Sequence, residues 1–139
     1  MPLSDDDFGF EEEKAGQNLA VLAEALYLIN LLLLPGIAFA LLLGLWLKYK
    51  DNAPPLARQH LKQATFVSLV GGLLILTLSG LVLALGGLDW EWTWVMLILY
   101  FTCIHSTLVL FGMYGLIKAM SGQIWRFPLI GPKIDAPKA

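Results

Sequence analysis

Three long apolar runs constrain this chain more than any other feature of its sequence. They extend over about residues 19–47, 64–88 and 92–117. Because a helix of about 20 residues crosses the ~30 Å hydrocarbon core of a bilayer, each run is long enough to span. A chain of 139 residues that is 58% hydrophobic has too little interior to bury such runs in water. The sequence therefore predicts an all-α membrane protein: three transmembrane helices, a cytoplasmic interfacial loop and a short interfacial tail.

The first run is too long for one straight span and too short for two. Pro35 and Gly36 lie in its middle, and proline kinks or breaks a helix. We expect one kinked span, and a re-entrant hairpin that turns at Pro35 is the alternative. Glu24 lies near the start of this run, where its carboxylate is expected to extend to the outer interface.

The distribution of charge predicts the orientation, since lysine and arginine accumulate on the cytoplasmic side of a membrane. The charged residues of the turn over residues 86–92 are both acids, Asp89 and Glu91. Bases are concentrated in the first loop (Lys48, Lys50, Arg58 and Lys62) and in the tail (Lys118, Arg126, Lys133 and Lys138). With three spans, this pattern predicts a multi-pass protein of the bacterial inner (plasma) membrane, with its N-terminus outside and its C-terminus in the cytoplasm.

The predicted organisation has three parts. Residues 1–18 form an acidic external arm, residues 19–118 the transmembrane domain and residues 119–139 a cytoplasmic tail. Because clustered like charge steers association, the arm is a candidate docking site for a basic partner. Its acids are Asp5, Asp6, Asp7, Glu11, Glu12 and Glu13.

Polar side chains inside a span are candidates for function, since they are costly in lipid. One face of the third predicted helix holds Thr102, His105, Ser106, Val109 and Gly112. We expect this face to look into the bundle, with His105 hydrogen-bonded to a neighbouring helix; a ligand or proton role for His105 is the alternative. His60 is expected at the cytoplasmic surface, so the two histidines predict neither a metal site nor a bound cofactor.

The tail is expected to leave the third helix and fold back along the membrane surface over residues 122–134. Pro128 and Pro132 prevent the helix from continuing. Trp125 and Phe127 are expected at the depth of the lipid headgroups, with Arg126 reaching a phosphate or a helix-end carbonyl.

Two polar segments carry a resemblance to a known family. The segment 55–66 contains His60, Lys62, Gln63 and Ala64, and the last run is followed by Ile117-Lys118-Ala119, Gly122 and Arg126-Phe127-Pro128-Leu129. Over residues 26–130 the chain is similar to the small Tic20-like membrane proteins, the bacterial family of domain of unknown function 4870. It has Thr65-Phe66 where that family has Asn-Phe. The resemblance implies three helices with a cytoplasmic loop and tail, and little about activity.

The residues contain no pattern typical of a catalytic site. We therefore expect a non-enzymatic membrane protein that acts as an accessory or assembly subunit of a larger inner-membrane complex. Its partners would be the lipid bilayer and other membrane subunits or further copies of itself, without nucleic acid. The alternative is a small oligomeric transporter or translocation component whose path is lined by Thr102, His105 and Ser106. An enzyme that handles haem or quinone through His105 ranks third.

Overall fold

The structure, a computed structural model, describes the backbone of residues 5–133 and the side chains of residues 16–133. The described chain forms four helices: α1 (Asp5–Leu32), α2 (Ile37–Tyr49), α3 (Pro55–Gly86) and α4 (Glu91–Met120). Only α3 and α4 are long and apolar enough to cross a membrane. The all-α prediction is confirmed, but two of the described helices, and not three, are long and apolar enough to form a span.

The first apolar run is divided at Pro35-Gly36. Pro35 lacks the N–H that a helix needs, and it disfavours helical geometry at Leu34. Gly36 has a φ of 86°, in the left-handed region that glycine adopts most readily. The Gly36 N–H donates to Oδ1 of Asn30 over 2.9 Å, which holds the turn in place. The chain therefore reverses at this point, and α1 and α2 form a hairpin.

Contacts at the beginning of the apolar part of α1 establish the hairpin. Gly16 lies against Pro54: a Cβ built on Gly16 would be 3.0 Å from that of Pro54. Nearby, Nε2 of Gln17 donates to the Met120 carbonyl over 2.5 Å. Residues 16 and 17 of α1 thus lie beside the loop after α2 and the end of α4. The predicted kinked span over residues 19–47 is wrong, and the re-entrant alternative describes the fold.

The predicted external position of the N-terminus assumes that the first run crosses the membrane once. The hairpin removes that assumption, and the side on which the N-terminus lies stays a prediction. A single span would have separated the start of α1 from the loop over residues 48–54. The reversal at Pro35 instead brings α1 and this loop to the same end of the molecule, where Gly16 meets Pro54. The acidic arm therefore extends from the end that carries the basic loop and the tail.

The hairpin covers only part of the two long helices. At 1.5 Å per residue, α2 is about 20 Å long and the apolar part of α1 about 25 Å, against about 48 Å for α3 and 45 Å for α4. We call the covered part, residues 16–72 and 105–133, the basal half, and residues 73–104 the distal half. The core lies in the basal half, around Tyr27, Leu42, Leu61 and Val67.

The outer faces of the long helices are apolar and exposed. Leu76 is 71% exposed, Leu85 80% and Ile98 66%. Extended exposed apolar surface of this kind marks contact with a membrane or a protein partner. It is the surface that the apolar composition of runs 64–88 and 92–117 predicts.

α3 begins earlier than the apolar run because Pro55 is at its first position, where a missing N–H costs nothing. The polar segment around His60 and Lys62 is therefore the first part of α3. His60, which was expected at the cytoplasmic surface, is buried there, because it faces the hairpin. α4 ends at Met120, and Gly122 follows with a φ of 67°. The tail leaves the helix as predicted.

Candidate functional site

A buried hydrogen-bonded pair, Glu24 and His60, joins the hairpin to α3. Nδ1 of His60 lies 2.6 Å from Oε1 of Glu24, and the two side chains are 0% and 4% exposed. The other ring nitrogen, Nε2, lies 2.9 Å from the main-chain carbonyl of Gln123 in the tail. One imidazole ring therefore connects α1, α3 and the segment after α4.

The hydrogen-bond pattern fixes the net charge of this pair. A carbonyl oxygen can only accept, so Nε2 of His60 carries a hydrogen for Gln123. The short contact between Nδ1 and Oε1 of Glu24 holds one further proton. That proton gives either an imidazolium with a carboxylate or a neutral imidazole with a carboxylic acid. In both cases the pair is neutral overall, which lowers the cost of burying it.

The predicted position of Glu24 at the outer interface is therefore wrong. Its carboxylate is buried against α4, where a Cβ built on Gly115 would lie 2.7 Å from Oε2. The absence of a side chain at Gly115 gives the carboxylate its space. The re-entrant alternative would have predicted this position from the sequence. A hairpin that turns at Pro35 places residue 24 at the same end of the molecule as His60.

A second polar contact anchors the tail to α3. The Phe127 N–H donates to Oε1 of Gln63 over 2.7 Å. The Phe127 ring is 6% exposed and packs against Phe111, with centroids 5.0 Å apart, and against Trp125. The tail folds back as predicted, but Phe127 is buried in the protein and not among lipid headgroups.

The other predicted loop and tail residues lie around this anchor. Nζ of Lys118 donates to Oε1 of Gln123 over 2.8 Å, and Nε of Arg126 donates to the Gly131 carbonyl over 2.9 Å. The sequence predicted that Arg126 would reach a lipid phosphate or a helix-end carbonyl. In the structure its Nε instead donates to a carbonyl within the tail. Pro128 is exposed, and Lys62 is half-buried at the surface of α3.

Tyr27 and two glycines bring α1 close to α4. The Tyr27 hydroxyl donates to the Leu108 carbonyl over 3.1 Å, and its ring lies directly on Gly112, where a Cβ would clash with it. Gly115 accommodates Glu24 one turn further along. Close backbone approach over small residues is typical of helix packing in membranes.

His105 hydrogen-bonds to a neighbouring helix, as the sequence predicted. Its Nε2 lies 3.0 Å from the Leu31 carbonyl. Leu31 is in the last turn of α1, where carbonyls lack a partner within the helix, and the imidazole supplies one. The ring also stacks on Phe101, with centroids 5.1 Å apart and planes 16° from parallel.

The predicted inward orientation of the face with Thr102, His105 and Ser106 is right for His105 and wrong for the other two. His105 is half-buried toward α1, whereas Thr102 and Ser106 are exposed on the outer surface of α4. Further along α4, the inward face is occupied by Leu108 and by Gly112, which the sequence placed on the same face as His105. Residues three and four apart share a broad helix face, and in this structure only one edge of that face meets the hairpin.

The acids proposed for the partner-docking arm lie in the part of α1 whose side chains are outside the described residues. Their helix is continuous with the apolar part of α1. Among the described residues, no group of three or more histidine, cysteine or acidic side chains is arranged to hold a metal ion.

The chain belongs to the MamF/MmsF family, the magnetosome magnetite crystal formation protein family, whose model matches residues 15–134. This match corrects the resemblance to the Tic20-like proteins, because a different family accounts for nearly the whole chain, including the loop and tail motifs. No curated protein and no solved structure matches the chain.

Proposed function

We propose that this protein is a non-enzymatic integral protein of the magnetosome membrane that supports magnetite crystal formation as an accessory or assembly subunit. The family match and the two apolar helices support this proposal. The buried polar groups support a structural role, since Glu24, His60 and Gln63 each bond to another part of the same chain. These contacts hold the helices and the tail together. The surfaces at the polar ends of the molecule are therefore the candidates for binding partners.

The observation that carries the proposal is the placement of charge. The hairpin brings the start of α1, the loop over residues 48–54 and the tail to one end of the molecule. In the part of the chain that the structure describes, the opposite end carries only Asp89 and Glu91 as charged residues. By the positive-inside tendency, the basic end faces the cytoplasm, and the turn over residues 87–90 faces the other compartment.

A protein with this distribution offers most of its polar surface to partners on one side. The acidic arm and the basic loop emerge there together, so the arm can attract a basic partner while the loop lies against anionic headgroups. We therefore place the assembly function on the cytoplasmic face, with lipid and other membrane subunits or further copies of the chain as partners.

Labelling of single cysteines tests the orientation. In a Cys103→Ser background, Ser4→Cys, Asn52→Cys and Leu88→Cys each place one thiol in the arm, the basic loop or the distal turn. The hairpin predicts that positions 4 and 52 react with a membrane-impermeant reagent on the same side and position 88 on the other. A three-span fold predicts opposite sides for 4 and 52, and that result would contradict the proposal.

Neutralising the arm tests the function. A variant with the six acids of residues 5–13 replaced by Asn or Gln should lose most of its co-purifying partners and alter the size or number of magnetite crystals. The matched control, Asp89→Asn with Glu91→Gln, removes acids from the opposite end and should retain the partners. An equal effect of both variants would argue against a docking role for the arm.

A further inference from the structure

A cavity of about 530 Å³ lies where the turn of the hairpin meets the middle of α3 and α4. Its walls include Pro35 and Gly36 of the turn, residues 67–69, 71–73, 75 and 76 of α3 and, from α4, Phe101 and His105. Its surface is largely apolar. Small-molecule sites have volumes of roughly 300–1,000 Å³, apolar walls and a few polar groups, and this cavity has each of those properties.

Ser68 supplies the first polar group. It lines the cavity and is only 7% exposed, and its hydroxyl has no hydrogen-bond partner. A hydroxyl on a helix often bonds to the carbonyl four residues earlier, but this one does not. A buried polar group without a partner is costly, and lipid chains cannot satisfy it. A ligand atom in the cavity would supply the missing partner.

Asn30 and the stacked rings of Phe101 and His105 define the remaining chemistry. Oδ1 of Asn30 accepts from Gly36, which leaves the NH₂ group of this cavity-lining side chain as a donor. Nε2 of His105 is occupied by Leu31, so its ring offers a flat surface beside Phe101. Hydrogen-bond donors beside stacked rings favour a ligand that combines an acceptor with a planar or extended apolar body.

We propose that this cavity binds a lipophilic molecule that carries a carbonyl group, with the carbonyl oxygen accepting from the Ser68 hydroxyl. Such a molecule would enter from the bilayer, because Leu69, Leu73 and Leu76 on the cavity rim are 48%, 56% and 71% exposed. The carbonyl could come from an isoprenoid quinone or from the ester of a phospholipid. This site is independent of the docking role proposed for the acidic arm.

Two glycines of α3 offer a matched pair of variants. A Cβ built on Gly72 or on Gly80 meets nothing within 4 Å, so both positions offer open space at the point where a side chain begins. Gly72 lines the cavity, whereas Gly80 lies about one turn beyond Leu76, the last residue of α3 that lines it. Gly72→Leu therefore adds volume at the site, and Gly80→Leu makes the same change outside it. Ser68→Ala removes the hydroxyl, with Ser106→Ala as the control on the surface of α4.

The experiment uses the full chain purified in mild detergent. Decylubiquinone, a defined phosphatidylethanolamine and the hydrocarbon hexadecane are each added, and bound molecules are counted by native mass spectrometry. We expect saturable binding of one carbonyl-bearing probe, at least tenfold weaker in Gly72→Leu and about fivefold weaker in Ser68→Ala. Gly80→Leu and Ser106→Ala should bind like the unaltered chain.

The three probes distinguish the sources of the carbonyl. Binding of the quinone with these variant effects identifies a quinone site, and the same pattern with only the phospholipid identifies a lipid site. Binding of hexadecane as tight as that of both carbonyl probes would overturn the proposal. So would equal binding of a probe to Ser68→Ala, Gly72→Leu and their controls.

Discussion

The basal and distal halves of α3 and α4 are built differently, although both belong to the same two helices. In the basal half the helices are covered by the hairpin, and the ring of His60 connects three segments of the chain. In the distal half the hydroxyls of Ser79 and Tyr100 bond to each other, Tyr100 bonds to the Ile75 carbonyl, and Thr93 lies on Gly86. The distal outer surfaces are exposed leucine and isoleucine.

This difference shows where stability resides in such a chain. Lipid tails are as apolar as leucine, so burying leucine between helices gains little in a membrane. Close packing over glycine and hydrogen bonds between helices provide the association instead. These contacts are concentrated at Glu24, Tyr27 and His60 in the basal half, which should therefore contain most of the free energy of unfolding.

Removal of Glu24 should have the largest effect. Glu24→Ala leaves Nδ1 of His60 buried without a partner, and breaking a buried pair in this way costs about 3 kcal/mol. The free energy of unfolding, measured by steric trapping in bicelles, would report the loss. Glu91→Ala, which removes an exposed acid of the distal end, should change it by less than about 0.5 kcal/mol. Equal effects of the two variants would contradict the basal assignment.

A double-mutant cycle sharpens this test. If Glu24 and His60 stabilise the fold as a pair, the effects of Glu24→Ala and His60→Ala should be far from additive, with a coupling of about 1 kcal/mol or more. Additive losses would indicate that each side chain contributes through other contacts.

The next largest effect on stability is expected when a methyl group is added to a glycine of the basal half. Gly112→Ala places a Cβ inside the ring of Tyr27, and overpacking of this kind costs about 2 kcal/mol. Gly80→Ala places the same methyl group in open space in the distal half, where no loss is expected. Melting temperatures in detergent for the two variants would show the contrast, and a comparable loss from Gly80→Ala would reveal a packed surface on the distal half of α3.

The sequence predicts the parts of this fold that depend on local rules. The runs over residues 64–88 and 92–117 mark α3 and α4, and the tail leaves the helix where glycine and proline follow Met120. The first run is different, because a kinked span and a hairpin satisfy its length and Pro35 equally well. Contacts between residues far apart in sequence, such as Glu24 with His60 and Gly16 with Pro54, decide between them, and no local pattern contains that information.

In the candidate site too, some features follow from local sequence rules and others depend on contacts with distant residues. The sequence identifies His105 as an interhelical hydrogen bonder, because an imidazole in a span needs a partner. It does not identify which edge of α4 faces the hairpin, so Thr102 and Ser106 are placed inward although they are exposed. Likewise the aromatic residue Phe127 fits a headgroup position by composition, and its burial depends on the distant Gln63.

Loss of the His105 hydrogen bond should have a smaller effect than the changes at Glu24 or Gly112. His105→Leu removes the partner of the Leu31 carbonyl and keeps an apolar side chain of similar bulk, so we expect a loss of about 1 kcal/mol. Unfolding in mixed micelles would measure it. Intact partner binding in a pull-down is also expected, whereas neutralising the arm should reduce it. A dominant effect of His105→Leu on partner binding would reverse this ranking and favour a functional role for the imidazole.

The smallest effect is expected in the distal half. Tyr100→Phe removes the hydroxyl that bonds to Ser79 and to the Ile75 carbonyl but leaves the ring in place. Intramembrane hydrogen bonds contribute about 0.6 kcal/mol on average, and the Ile75 carbonyl also lies within α3, where a helical hydrogen bond serves it. We therefore expect a loss of about 0.6 kcal/mol in bicelles. Tyr27→Phe is the matched basal variant, since it removes a hydroxyl that donates to the Leu108 carbonyl. Because Tyr27 is almost fully buried between α1 and α4, Tyr27→Phe should lose more free energy of unfolding than Tyr100→Phe. A larger loss for Tyr100→Phe would mean that the distal ends of α3 and α4 hold each other as firmly as the hairpin holds the basal half.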